Sequence, residues 1–335
     1  MEVTAQLRLP VADTSHVGAA RRCAADLGRS LGFGETDTGR VALVVTEAAT
    51  NLVRHAGGGE LLLQGLEHDG ARGLRIMALD RGPGLTSVAE AMRDGFSQGG
   101  TPGTGLGAIR RLSSEFDLYS SPGGGVALAA AIWPAPRADD SWGLRVGGVN
   151  VPYPGEDVSG DDWDLNAGPG RLALLVSDGL GHGAAAAAAS ALARETFRRH
   201  AAQAPGAVLQ RIHAALRATR GAAAAIAEID RARATVRFAG VGNIAASIVA
   251  GGTSRSLVSH HGTLGHDVRR IQEFTYEWPA GALLVLHSDG LVSHWTLDRY
   301  PGLAARHPWL VAGVLYRDFR RGRDDISVVV TGEAP

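Results

Sequence analysis

The C-terminal half of the chain contains short apolar runs that each lie beside an aspartate. These are Leu172–Val176 before Asp178-Gly179, Ala282–Leu286 before Asp289-Gly290, and Ile326–Val330 after Asp324-Asp325, with a further acidic turn upstream at Gly160-Asp161-Asp162. Strands this apolar are buried on both faces, so we expect their ends to converge at one edge of a core. Carboxylates gathered there would repel one another unless a cation neutralises them, and hard divalent ions prefer oxygen ligands. The pattern therefore predicts a metal site.

The rest of the chain alternates between helical and strand periods. The pattern predicts helices at Ser15–Leu31, Thr38–His55, Leu106–Glu115, Ala184–His200 and Gly206–Thr219, and further strands at Glu60–Leu66, Leu74–Leu79, Phe116–Ser120, Val126–Trp133, Ala222–Ile229, Thr235–Gly240 and Ala245–Val249. A proline and charge cluster at Pro134–Asp140 marks the best boundary. We expect an α/β (α+β) chain with a domain at residues 1–133, a linker at 134–141 and a second domain at 142–335.

Composition narrows the possible functions. Of the 335 residues, 45% are hydrophobic and 20% charged, as in ordinary globular proteins, and the net charge of -1 argues against a nucleic-acid partner. All 33 basic residues are arginines, which excludes the lysine of a P-loop, of a Schiff base or of a protein-kinase strand. The single cysteine, Cys23, permits no internal disulfide, and no uncharged apolar run reaches membrane-spanning length. We expect a cytoplasmic protein with no membrane partner.

Polar residues in the N-terminal segment recur at helical spacing. Glu47, Asn51 and His55 share one face of the predicted helix, where they would spoil a buried stripe unless they lined a site. A glutamate can accept a proton from an attacking hydroxyl, and an asparagine oxygen can help to hold Mg²⁺. Downstream, Asp80–Gly84 ends a strand, and Gly103–Gly107 opens a helix whose free N–H groups favour a phosphate. Each motif alone is weak, but their order and spacing predict a nucleotide pocket.

Together these motifs resemble the GHKL ATPase/kinase family over roughly residues 5–133. Within it, Thr46–Glu60 is similar to the small serine kinases and anti-sigma factors of bacterial stress signalling. The resemblance implies an α/β sandwich that binds ATP, with Glu47 as general base and Asn51 as a ligand of Mg²⁺. It further implies an adenine-reading aspartate with its glycines and a phosphate loop: Asp80, Gly82, Gly84, Gly103, Thr104, Gly105, Leu106 and Gly107.

The acidic turns of the second segment belong to a longer pattern. Together with Thr219–Ala222 and Gly240–Asn243, they resemble the metal-dependent serine/threonine phosphatases of the sporulation and stress-response branch, over about residues 142–332. The resemblance implies a β-sandwich flanked by helices that holds two Mn²⁺ or Mg²⁺ ions. The implied ligands are Asp161 and Asp178, bridging or flanking the ions, the carbonyl of Gly179, and Asp289 and Asp324.

Several neighbours of these aspartates have roles that the sequence leaves open. Asp162, Asp164 and Asp325 are expected to lie outside the metal shell. His182 and His287 flank the metal turns, and either could protonate the leaving serine oxygen, although such histidines more often bond to nearby backbone. No phosphate-binding arginine is assigned from the sequence.

Both resemblances together imply a bifunctional regulator of stress or sigma-factor signalling. An ATP-dependent serine kinase and a phosphoserine/phosphothreonine phosphatase would act on one protein, a STAS-domain anti-sigma-factor antagonist or stressosome scaffold, with a sigma factor as a possible further partner. Two alternatives stay open at this stage. The N-terminal domain could sense ATP or bind a partner without transferring phosphate, and the phosphatase half could be a degenerate scaffold.

Overall fold

The computed structural model describes residues 2–92, 105–135 and 143–333. The chain folds as two compact units, Met1–Ala138 and Asp139–Pro335. The division falls inside the predicted linker, but residues 136–142 lie outside the described ranges, so the linker itself stays a prediction. Within the described ranges, no helix is both long and apolar enough to cross a membrane.

The first unit is a single antiparallel sheet with helices on one face. Its strands are β1 (Glu2–Val3), β2 (Leu7–Val11), β3 (Gly59–His68), β4 (Ala71–Leu79), β5 (Glu115–Ser120) and β6 (Val126–Ile132), and its helices are α1 (Thr14–Ser30), α2 (Glu35–Ala56), α3 (Val88–Ala91) and α4 (Gly105–Leu112). The strands lie in the order β1-β3-β4-β6-β5, and β2 also pairs with β3. Apolar residues of α1, α2 and α4 pack on alternate residues of β3, β4 and β6 to form the core.

Both long helices of this unit have physical start or stop signals. Asp13 caps α1, since its carboxylate accepts a hydrogen bond from the N–H of Ser15 at 2.8 Å. Helix α2 ends at Gly57, whose φ of 69° is the left-handed conformation that glycine adopts without strain. These residues fix where α1 begins and where α2 ends.

The second unit is a sandwich of two five-stranded antiparallel sheets. Its strands are β7 (Leu144–Val151), β8 (Asp161–Gly168), β9 (Arg171–Gly179), β10 (Ala222–Asp230), β11 (Thr235–Val241), β12 (Ala245–Ala250), β13 (Thr253–Ser256), β14 (Phe274–Glu277), β15 (Leu283–His287) and β16 (Ile326–Glu333), and its helices are α5 (Ala184–His200), α6 (Pro205–Ala215) and α7 (Pro308–Phe319). One sheet has the order β14-β11-β10-β9-β8, and the other β13-β12-β15-β16-β7.

Close packing joins the layers of this sandwich. A side chain at Gly148 on β7 would come within 2.5 Å of the Trp163 ring on β8, so the absence of one lets the two sheets meet. Helices α5 and α6 cover the outer face of the sheet β14-β11-β10-β9-β8, and α7 packs on β7 and β16 of the other sheet. The predicted fold class, an α/β (α+β) chain with a helix-flanked β-sandwich at its C-terminal end, is confirmed.

Element boundaries differ from the predicted ones by a few residues. The helix predicted at Leu106–Glu115 ends at Leu112, and Glu115 already begins β5. The helix predicted at Gly206–Thr219 ends at Ala215 and continues as a short 3-10 turn. The sequence pattern did not single out α7, because all but its last two residues are buried and it shows no amphipathic alternation.

Candidate functional sites

The first candidate site lies where α4 begins against α2. Glu47 and Asn51 are half-buried on α2, while the intervening Ala48 and Ala49 face the core. A side chain at Gly105, the first residue of α4, would lie 3.3 Å from both the Glu47 carboxylate and the Asn51 amide oxygen. The carboxylate and the amide oxygen therefore converge on the start of a helix, where free N–H groups attract phosphate. Such a donor set fits a Mg²⁺-bound nucleotide.

Asp80 is held rigidly beside this site. It is buried, and its Oδ1 accepts hydrogen bonds from the N–H groups of Gly82 at 2.8 Å and Val126 at 3.1 Å. These two bonds fix the carboxylate at the end of β4. An aspartate oriented in this way can accept a hydrogen bond from a flat ligand.

The structure supplies a reason for the two glycines after Asp80. A Cβ at Gly82 would lie 2.8 Å from the Cα of Ala56, and one at Gly84, where φ is +71°, would overlap the carbonyl oxygen of Ser121. Both glycines are required by the protein's own backbone, independently of any ligand. In α4, Gly105 and Leu106 are half-buried and Gly107 is buried, whereas Gly103 and Thr104 lie outside the described residues.

The second candidate site gathers the four aspartates predicted as metal ligands. Asp161 opens β8 and Asp178 lies directly opposite it near the end of β9. In the other sheet, Asp289 follows β15 and Asp324 precedes β16, and these strands are antiparallel neighbours, so the end of one meets the start of the other. Each sheet thus contributes two carboxylates to the same edge of the sandwich.

The electrostatics of this edge are unfavourable for carboxylates alone. Burial and then repulsion from Asp289 raise the pKa of Asp178 to about 7. Burial and then repulsion from Asp178 raise the pKa of Asp161 well above its ordinary value, and burial followed by Asp289 raises that of Asp324. These shifts show that the four groups sense one another across the two sheets. Bound cations would remove the repulsion.

Unsatisfied polar atoms provide a test of whether cations fit. Neither carboxylate oxygen of buried Asp161 is hydrogen-bonded to a residue that the structure describes, and the nearby Ser288 hydroxyl offsets the raised pKa of Asp161 only in part. Within the described ranges, no three His, Cys, Asp or Glu side chains are already spaced to hold a single ion. Mg²⁺ keeps several waters and needs only one or two carboxylates, so two ions shared among four aspartates fit this arrangement.

Asn243 is a functional residue whose role the sequence reasoning missed. Its amide nitrogen donates to Asp289 at 2.8 Å and to Asp178 at 3.3 Å, and so joins one carboxylate from each sheet. The preceding Gly242 has a φ of +93° and packs against Ala223, which sets the turn that delivers this amide. The motif Gly240–Asn243 was visible in the sequence, but its contacts depend on the sandwich.

The turn after Asp178 is shaped by close packing. A side chain at Gly179 would overlap the carbonyl of Ala186 on α5, so only glycine fits there. The Gly179 N–H donates to the carbonyl of Gly160 at 3.1 Å, which ties the turn of β9 to the residue before Asp161. The carbonyl of Gly179 therefore lies on the same edge as the aspartates.

Three further aspartates stabilise the surroundings of this edge. Asp162 and Asp164 form ion pairs with Arg194 and Arg198 of α5. Asp325 is buried and accepts a hydrogen bond from the N–H of Tyr153 at 2.7 Å. These contacts engage at least one carboxylate oxygen of each of the three, and the buried Oδ2 of Asp325 has no hydrogen-bond partner among the described residues.

The two histidines near the edge have different environments. His287 is buried: its Nδ1 lies 2.8 Å from the carbonyl of Ser288, and its Nε2 accepts a hydrogen bond from the indole of Trp295 at 3.0 Å. Burial lowers the pKa of His287, so it stays neutral with both nitrogens engaged. His182 is half-exposed, bonds to Glu156 at 2.7 Å and stacks on Tyr153. Of the two, His182 is the one whose ring is exposed to solvent.

Comparisons with known proteins match each half of the chain separately. Residues 11–130 match the family model "Histidine kinase-like ATPase domain", and residues 168–331 match "Stage II sporulation protein E (SpoIIE)". The chain is similar to the serine/threonine-protein kinase RsbT of Bacillus subtilis (strain 168), with 37% identity over 34% of this chain and 86% of RsbT. It is also similar to the phosphoserine phosphatase RsbX of that strain, with 26% identity over 41% of this chain and 69% of RsbX.

Two solved structures are similar to part of this chain. One, described as "The bacterial stressosome: a modular system that has been adapted to control secondary messenger signaling", has a TM-score of 0.52 and 29% identity, and covers 56% of this chain and 98% of its own. A crystal structure of RsbX in complex with magnesium has a TM-score of 0.50 and 20% identity, and covers 57% of this chain and 96% of its own, so it shows the shared fold.

These matches define a fusion of a histidine kinase-like ATPase domain with a SpoIIE-type domain. The chain belongs to the family of RsbT in its first unit, and its second unit is homologous to RsbX. The two resemblances read from the sequence motifs are confirmed. The roles of individual site residues stay predictions.

Proposed function

We propose that the two units act in opposite directions on one protein substrate, the first adding a phosphoryl group to serine and the second removing it. The observation that carries this proposal is the presence, in one chain, of a carboxylate–amide pair at a helix start and a four-aspartate edge. The first arrangement is suited to ATP with Mg²⁺, and the second to two Mn²⁺ or Mg²⁺ ions. RsbX crystallised with magnesium supports the second assignment.

In the proposed kinase reaction, ATP bound with Mg²⁺ supplies the phosphoryl group. Glu47 accepts the proton of the attacking serine hydroxyl. Asn51 helps to hold the metal, and Asp80 accepts a hydrogen bond from the adenine. The start of α4, together with the preceding Gly103 and Thr104, receives the phosphates through backbone N–H groups.

In the proposed phosphatase reaction, Asp161, Asp178, Asp289, Asp324 and the Gly179 carbonyl hold the metal pair. When bound, such a pair lowers the pKa of water and neutralises charge on the phosphoryl oxygens. Asn243 keeps Asp178 and Asp289 at a fixed separation through its two hydrogen bonds. His182, held by Glu156, gives a proton to the departing serine oxygen.

The substrate we propose is a STAS-domain protein, an anti-sigma-factor antagonist or a stressosome scaffold, with a sigma factor as a further partner of the pathway. Similarity to RsbT and RsbX and to a stressosome structure supports this choice. A folded protein surface also suits an open edge of a sandwich, because the phosphoserine needs to reach only the ends of the strands.

The test is to incubate the chain with candidate STAS proteins and labelled ATP. With Mg²⁺ we expect Asp289→Ala, whose phosphatase site lacks a ligand, to label the STAS protein and to keep the label. Wild type with Mn²⁺ should remove that label, and Glu47→Ala should never transfer it. If Asp289→Ala and Glu47→Ala both bind the STAS protein and neither transfers label, the first unit is a binding module and the kinase assignment is wrong.

A further inference from the structure

Arg220 lies near the edge of the sandwich where the four aspartates gather, although it is distant in sequence from each of them. It precedes β10 by two residues, and Ala222, the first residue of β10, is paired with Gly179. The carbonyl of Gly221 accepts a hydrogen bond from the N–H of Leu180 at 3.0 Å. These contacts bring the Arg220 backbone next to the turn that follows Asp178.

The Arg220 guanidinium rests on this turn. A Cβ at Gly181 would lie 3.2 Å from Arg220 Nη1, and Gly181 has a φ of +88°. Glycine at this position therefore leaves the space that the guanidinium occupies. The guanidinium therefore lies against Gly181, which is two residues after Gly179.

Arg220 is exposed and forms no hydrogen bond or ion pair with any described residue. Other arginines of this unit are engaged, since Arg194 of α5 pairs with Asp162 and Arg237 of β11 with Glu228. An arginine with no internal partner does not have to give up an ion pair before it binds a ligand. A guanidinium also presents paired N–H donors that match phosphate geometry.

We propose that Arg220 binds the phosphate group of the phosphoserine or phosphothreonine substrate at the rim of the phosphatase site. The inference rests on the proposed phosphatase function and assigns a residue that contacts the substrate. A phosphate monoester that approaches four aspartates needs a fixed positive charge beside the metals, and Arg220 supplies it. The sequence motif Thr219–Ala222 thereby acquires a chemical role.

The test compares wild type with Arg220→Ala, Arg220→Lys and the control Arg217→Ala, which removes an exposed arginine three residues earlier. Each protein is assayed with Mn²⁺ on a phosphoserine peptide and on p-nitrophenyl phosphate, and the inhibition constant of inorganic phosphate is measured. Loss of a charge-assisted contact should raise KM for both substrates, and the phosphate inhibition constant, about tenfold. Arg220→Lys should recover part of the loss because it keeps the charge without the fork, and Arg217→Ala should match wild type.

The possible failures are distinguishable. A wild type that hydrolyses neither substrate overturns the phosphatase proposal together with this one. An active wild type whose KM and phosphate inhibition are unchanged by Arg220→Ala overturns only the role of Arg220. A higher KM for the peptide alone, with phosphate inhibition unchanged, also overturns it, since Arg220 would then contact the peptide chain and not the phosphate. If Arg220→Ala unfolds, Arg220→Lys gives the same comparison through the phosphate inhibition constant.

Discussion

The two sites are assembled over very different distances along the chain. Glu47 and Asn51 lie one helical turn apart, and Gly105 joins them at the start of α4. The aspartates of the phosphatase edge come from strands β8, β9, β15 and β16 in two sheets. The first site therefore combines one helix face with the start of a second helix, whereas the second depends on the register of a whole sandwich and on cations that would offset mutual repulsion. The charge of the aspartates therefore has more influence on the second site than the shape of their side chains has.

The largest effect should follow from removing one charge of the aspartate edge. Asp289→Asn keeps the side-chain shape but removes a proposed ligand, and we expect Mn²⁺-dependent hydrolysis of a phosphoserine peptide to fall about 1000-fold. Partners outside a metal shell alone are worth 10–100-fold, so a ligand should exceed that range. The measurement is kcat/KM for the peptide, and the control is Asp298→Asn, which changes an exposed aspartate. Wild-type activity in Asp289→Asn would contradict the ligand assignment.

A change on the helix face should affect the other reaction only. Glu47→Gln removes the proposed base, and we expect phosphoryl transfer to a STAS protein to fall about 100-fold. ATP binding, measured by calorimetry, and the phosphatase activity should stay at wild-type levels. Glu35→Gln, in the first turn of the same helix, is the control. Equal transfer by the two variants would show that Glu47 is not the base.

The charge of the edge also predicts how metal-free stability depends on pH. The pKa of Asp178 rises from 3.8 to about 7 on folding, so between these values the folded protein holds a proton that the unfolded chain has released. In EDTA the free energy of unfolding should therefore fall as pH rises from 4 to 7, and the raised pKa of Asp178 alone accounts for at most about 4 kcal/mol of this fall. Urea titrations check this.

Two comparisons sharpen that stability measurement. Asp178→Asn should reduce the pH dependence, because one of the carboxyl groups with a raised pKa is gone and the repulsion on the others is weaker. Saturating Mn²⁺ should remove it near pH 7, because cations favour the ionised carboxylates. Metal-free stability that rises through the same pH window would contradict the proposed repulsion.

The smallest expected effect concerns His182. His182→Ala should lower kcat on a phosphoserine peptide about tenfold, since serine leaves poorly without a proton. On p-nitrophenyl phosphate, whose leaving group needs no proton, kcat should change little. Glu156→Gln should also lower kcat on the peptide more than on p-nitrophenyl phosphate, but by less than His182→Ala does. The reason is that it removes the carboxylate that lies 2.7 Å from His182. Equal losses on both substrates would exclude proton donation.

Sequence patterns succeeded where the interactions are local. The apolar runs of β9, β15 and β16 and the helix-face spacing of Glu47 and Asn51 appear in the fold as expected. The patterns failed to separate His182 from His287, because both flank an acidic turn and only the Trp295 indole and burial distinguish them. They also gave an incomplete reason for Gly82 and Gly84, whose close neighbours are backbone atoms distant in sequence.

The amino-acid sequence alone determined the two-part architecture, the class of each unit and which carboxylates to examine, since periodicity and motif spacing are properties of short segments. Only the tertiary structure decided that Asn243 links the two sheets, that His287 is held neutral and that Arg220 rests on the turn at Gly181. Those facts arise from contacts between residues far apart along the chain. The register of the packed sheets creates such contacts, and the periodicity of a short segment does not predict them.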